Sequence, residues 1–169
     1  MEINSAFKLS LLETLQGFVH FAENPGNTAS VFELQKGLAG NPISMRCVEY
    51  MMAQPELRAL AEEMYQPTRP SLNDLVKYDQ GSLGHQYAKS LLDAGFDPDF
   101  FEVIEIEGPG TYLDLRARQT HDIWHVMTGF GTDLGGELGL QAFQLSQIYT
   151  PLSVLLMSSG LLHGVSLGA

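Results

Sequence analysis

The chain has 169 residues, enough for one domain of ordinary size with a substantial core. Its 20 acidic residues against 9 basic ones give a formal net charge of −11, which repels nucleic-acid phosphates and offers no polybasic patch to anionic lipid heads. Hydrophobic residues make up 44% and charged ones 17%, which excludes a disordered chain, and the single cysteine, Cys47, has no partner for an internal bridge and is expected in the core.

Taken in chain order, the pattern is helical nearly throughout. Ser5 to Ala22 sets Phe7, Leu11, Leu15, Phe18 and Ala22 at steps of three and four, the spacing of one helical face, and Asn24-Pro25-Gly26 ends it. Glu2 and Glu13 stand where a signal peptide needs basic and then purely apolar residues, so a cytoplasmic location is expected. Thr28 to Leu38 reads as a second helix closed around Gly37 and Gly40. Asn41-Pro42 opens a third segment running to Gln54, and Pro55 suits the first position of a helix through Tyr65. Pro67 and Pro70 then punctuate the chain, and a loop with Gly81 and Gly84 precedes a helix from Gln86 to Ala94. Asp93 to Glu107 carries six carboxylates without the alternating Asp/Asn pattern of a calcium loop, so it reads as solvated surface. Phe101 to Ile106 is the one strand-like run, and it lacks a partner. After Gly108-Pro109-Gly110, a helix is expected from Tyr112 to about Thr128, a turn at Gly129-Phe130-Gly131, and a helix from Asp133 to about Tyr149 with Thr132 or Asp133 as its cap. The expected fold is all-α: a single helical bundle over residues 1–169 with an apolar groove.

From Leu138 to Ala169 there is no charged side chain. Thr150 to Ala169 has the length of a membrane span, but Pro151, four serines, three glycines and His163 dilute its hydrophobicity. A core helix or a lipid-facing helix is the better expectation.

The chemistry concentrates in His121-Asp122-Ile123-Trp124-His125. Four residues advance a helix by about 400°, so His121 and His125 leave the same face one turn apart, with Asp122 about 100° from His121. Two imidazoles and a carboxylate suit zinc and its neighbours and leave a position for water or substrate. Glu137, early in the next helix beyond the glycine turn, could supply a fourth ligand, and Gly135, Gly136 and Gly139 allow that helix a close approach. Asp114, Arg118, His121 and His125 continue one stripe. Arg118 could pair with Asp114 or Asp122, or bind a substrate anion. Of the other three histidines, His85, beside the Gly81-Gly84 turn, is the one expected nearest the site. Two histidines four apart on a helix often only pack or cap; the added carboxylates and hinge are what favour a metal.

The pattern HDxxH, eleven residues and Glu, here His121-Asp122, His125 and Glu137, resembles the Coq-four family of ubiquinone (coenzyme Q) biosynthesis proteins. The flanks agree: Arg116 and Arg118 as RxRxxHD, Gly129 and Thr132, Gly136-Glu137-Leu138, and upstream Arg69-Pro70-Ser71-Leu72 and Gly81-Ser82-Leu83-Gly84 with Tyr87. The similarity covers roughly residues 45 to 150. It implies an all-helical fold, a zinc motif on His121, Asp122, His125 and Glu137, an isoprenoid-binding groove, peripheral association with the inner face of the membrane, other quinone-biosynthesis proteins as partners, and a homodimer. It also implies further helices beyond Ala169. Arg116, Arg118 and Tyr87 are the expected substrate-binding residues, and Asp122 and Glu137 the expected catalytic carboxylates.

Three functions are weighed on this basis. In the first, a metal at the motif, zinc or alternatively magnesium, assists oxidative decarboxylation of a prenylated quinone precursor. In the second, the chain is a noncatalytic organiser that binds the isoprenoid lipid and presents it to other enzymes. In the third, a metallohydrolase, Asp122 replaces the general-base Glu of the zinc-protease motif HExxH, and the shorter side chain reaches less far toward a bound water.

Overall fold

The computed structural model describes residues 5–68, 70–97 and 104–167. Among them nine helices are found and no strand: α1 Ser5–Glu23, α2 Thr28–Leu38, α3 Pro42–Met52, α4 Pro55–Glu63, α5 Leu72–Leu75, α6 Leu83–Ala94, α7 Pro109–Thr128, α8 Leu134–Ile148 and α9 Pro151–Leu167. The all-α expectation holds. Arg69 and the first half of the strand-like run at 101–106 lie outside the described residues, and Ile104 to Ile106 are neither helix nor strand.

Residue chemistry accounts for the boundaries. Asn27 begins α2 by accepting the Ala29 N–H on its side chain, and Ser82 begins α6 by accepting that of His85. That cap starts α6 at Leu83, three residues before the position expected from periodicity. Pro109 likewise starts α7 three residues early, since a missing N–H costs nothing in a first turn. Asp133, not Thr132, caps α8 by accepting the Gly136 N–H at 2.9 Å. The single turn α5 had no periodic signal, being shorter than one apolar repeat.

The helices gather into two compact units. The first comprises residues 1–51 and 131–169, and its core is Phe21, Leu34 and Leu156, with Phe18, Val31, Leu152 and Leu155 packed around them. Helices α1 and α2 lie very close. A Cβ at Gly37 would stand 2.6 Å from the Thr14 backbone nitrogen, and the Ser10 hydroxyl donates to the Gly37 carbonyl at 2.5 Å. Gly37 therefore lies inside α2 as a packing residue instead of closing it. Polar cross-links fix α9. The Ser159 hydroxyl donates to the Phe18 carbonyl at 2.7 Å, His163 Nδ1 to the Ala22 carbonyl at 2.6 Å, and the Ser153 hydroxyl to Gln141 Oε1 at 2.8 Å.

The buried face of α1 differs from the expected stripe. Thr14, Gly17 and Phe21 point inward, while Leu11 and Leu15 are exposed together with Leu9, Leu12 and Val19. The side chain of Phe7 lies outside the described residues. The uncharged tail is similarly two-faced: α9 buries Ser153, Leu156 and Ser159 and exposes Val154, Leu161, Leu162 and Val165, the last at 79%. Between α1 and α9 runs a groove of about 320 Å³ lined by Phe18, Val19, Ala22, Glu23, Leu162, His163 and Ser166, the apolar groove expected of the fold. No helix among the described residues is long and apolar enough to cross a membrane.

The second unit, residues 52–130, packs α6 between α5 and α7 and sets α4 against α7. Tyr112 is fully buried there and its hydroxyl donates to the Tyr65 carbonyl at 3.0 Å; Ala61, Leu75, Ala88, Leu91 and Leu113 of the same unit are buried too. This packing holds α7, and with it the histidine motif.

Candidate metal centre

Helix α7 carries both histidines on consecutive turns of one face, as the four-residue spacing demands. Their Nε2 atoms stand 3.3 Å apart, and the rings meet edge to face with centroids 4.9 Å apart and planes at 86°. Two nitrogens each about 2.0–2.1 Å from a zinc ion in tetrahedral array are separated by about 3.4 Å. The pair therefore already has the bite that such an ion needs.

The ring of His125 is tied on its far side. Its Nδ1 lies 2.9 Å from the Phe130 carbonyl, which can only accept, so Nδ1 carries the proton and Nε2 keeps its lone pair toward His121. Both histidines are half-buried, sheltered from bulk water without being sealed from it.

Glu137 lies in the first turn of α8, within the other unit, and is half-buried. Gly136 beside it must be glycine, because a Cβ there would stand 2.0 Å from the Gly131 carbonyl oxygen. The glycines preceding Glu137 thus serve the tight entry into α8 itself. Asp122 is half-buried on α7, next to the first histidine.

The expected substrate-binding residues spread over two helices. Arg116, on α7, donates from Nη1 to Gln119 Oε1 at 2.7 Å, and Arg118 lies half a turn further on. Tyr87 is half-buried on α6, the helix packed against α7. His85 Nδ1 is bound to the Val76 carbonyl at 2.8 Å, which anchors it to the turn after α5. Asp114 keeps solvent access at its own surface, yet the protein massed around it raises its carboxyl above the usual aspartate value, with the Arg118 charge pulling weakly the other way. Sequence reasoning missed the Phe130 carbonyl. A backbone acceptor leaves no mark in residue type, and only the glycine-flanked turn hinted that the chain bends back there.

A family model described as coenzyme Q (ubiquinone) biosynthesis protein Coq4 matches residues 3–164. The proteins of Yarrowia lipolytica and Lachancea thermotolerans named ubiquinone biosynthesis protein COQ4, mitochondrial, are 34% identical over 62% of this chain and 26% identical over 87% of it. Those matches cover 42% and 45% of the relatives, so the chain spans less than half their length. A crystal structure from Nostoc punctiforme, of a protein assigned to ubiquinone biosynthesis, superposes with a TM-score of 0.81 at 36% identity, covering 94% of this chain and 72% of that one. With nearly its whole length matched by the family model, the chain belongs to the Coq4 family of coenzyme Q (ubiquinone) biosynthesis proteins.

Proposed function

We propose that this chain binds a prenylated quinone precursor beside a divalent metal, zinc, and assists oxidative decarboxylation of the ring during ubiquinone biosynthesis. The observation that carries the reading is the pair of Nε2 atoms at 3.3 Å, one of them fixed as a lone-pair donor by the Phe130 carbonyl. The ligands proposed are His121 and His125 with Glu137, the donors that the sequence motif supplies, and Asp122 is the remaining candidate. Two imidazoles and one carboxylate suit zinc; magnesium, which prefers oxygen, is the alternative only if substrate oxygens complete its shell.

When bound, the ion supplies Lewis-acid polarisation of a head-group carboxylate or phenol oxygen. The chain's own residues do the rest. Arg116 and Arg118 offer positive charge to the head-group anion, and Tyr87 a hydroxyl. Asp122, beside the first histidine, accepts the phenol proton, and Glu137 is the second carboxylate that takes part in proton transfer. In the net change the ring-to-carboxyl bond breaks, carbon dioxide leaves, and a ring-to-oxygen bond forms with the oxygen of a water molecule, two protons being released. The ring loses two electrons, so a two-electron oxidant such as dioxygen is the co-reactant.

The groove between α1 and α9 supports binding of the prenyl tail, since apolar burial contributes about 25 cal/mol per Å². The exposed leucines of α1 and α9 support peripheral attachment to the inner face of a membrane, association with other quinone-biosynthesis proteins and a homodimer, and they are also what favours the second reading, a noncatalytic lipid-binding organiser. Incubating the purified chain with a carboxylated prenyl-phenol under air, with zinc or with a chelator, separates the two. Zinc-dependent release of carbon dioxide with hydroxylated product is expected. Tight lipid binding without turnover in either condition would contradict the decarboxylase assignment and leave the organiser.

A further inference from the structure

The turn after α7 does more than reverse the chain. Gly129 N–H donates to the His125 carbonyl at 2.9 Å, capping the helix, and the next residue sends its carbonyl back to Nδ1 of the same histidine at 2.9 Å. His125 is thus gripped at its backbone and its ring by two consecutive residues. The grip depends on Gly129, whose φ of 76° and ψ of 5° lie in the left-handed region where glycine is favoured. Thr128 adds a brace: its hydroxyl donates to the Trp124 carbonyl at 2.7 Å and accepts the Phe130 N–H at 3.4 Å.

A neutral imidazole has one N–H, and a carbonyl cannot donate, so this contact selects the tautomer with the proton on Nδ1 and the lone pair on Nε2. We propose that the Phe130 carbonyl, aimed by Gly129 and Thr128, is the positioning group that presets His125 as an Nε2 metal ligand, which rests on the metal reading given above. Metal affinity is then coupled to the conformation of a turn whose side chains touch no ion. A Cβ on Gly129 would meet nothing within 4 Å, so a substitution there acts through backbone conformation and not through a clash.

The test uses the metal-free chain and zinc alone. Long-range ¹H–¹⁵N correlation of the histidine rings should show His125 protonated on Nδ1 in the wild type and in Gly129→Asn, a residue that tolerates the left-handed conformation. In Gly129→Val, which resists it, the preference should be lost, and competition titration should find zinc bound about 10–100-fold more weakly, with Gly129→Asn restoring most of the affinity. If Gly129→Val does not fold, Thr128→Val removes the brace while keeping the side-chain shape, and its zinc affinity should also fall. A wild-type His125 protonated on Nε2, or wild-type affinity in the folded variants, overturns the positioning role while leaving the metal site standing. A wild type that takes up no zinc overturns both.

Discussion

His125 shows how a residue type common in proteins acquires one chemical state. The sequence places two imidazoles one turn apart, but the backbone decides which nitrogen is basic. Asp114, on the same helix, acquires its state from crowding. Its carboxyl is raised above the usual value because surrounding protein disfavours the charge more than Arg118 restores it. The folded chain therefore holds that proton more tightly than the unfolded one, a contribution to stability present below the ordinary aspartate pKa and lost as the pH rises through the raised value. Asp114→Asn, which never ionises, should melt like the wild type in acid and at a higher temperature than the wild type at neutral pH; equal melting temperatures throughout would contradict this, as followed by circular dichroism across a pH series. The facing histidine pair was legible from HDxxH because helical spacing alone sets it. The turn carbonyl was not, because its function lies in main-chain geometry that no side chain announces.

Among the elements, helix starts were legible where a cap or a proline coincides with the onset of the apolar rhythm, as at Pro55 and Asp133. They were misjudged at α6 and α7, where Ser82 and Pro109 begin the helix before its apolar rhythm does. The inward face of α1 was misread for a different reason. Apolar residues occupy both sides of this helix, and the buried side is chosen by how closely α2 approaches, which Gly37 and Thr14 decide and hydrophobic periodicity does not. Gly37→Ala should destabilise the first unit by about 1–3 kcal/mol, the usual cost of overpacking, since a methyl group would overlap the Thr14 backbone. Chemical denaturation would measure it. A variant as stable as the wild type would mean that α1 and α2 can move apart freely.

At the scale of the molecule, an acidic chain exposes large apolar side chains on α1 and α9 while its histidine motif sits on a helix held by a separate core. The all-helical architecture was legible from the chain-long rhythm of apolar positions and breakers. The uncharged tail was expected as a core helix or a lipid-facing one, and α9 shares features of both: it has apolar residues all round and buries one side of them within the described residues. The family gives the biosynthetic setting. Everything specific in the account passes through one ion. Its most direct test is elemental analysis of the chain after equilibration with zinc and removal of the excess, for the wild type and for His121→Ala, His125→Ala and Glu137→Ala. One zinc per wild-type chain is expected, and its loss from each variant with helicity intact; a wild type without stoichiometric zinc, or variants that keep it, would rule out a metal centre on these residues.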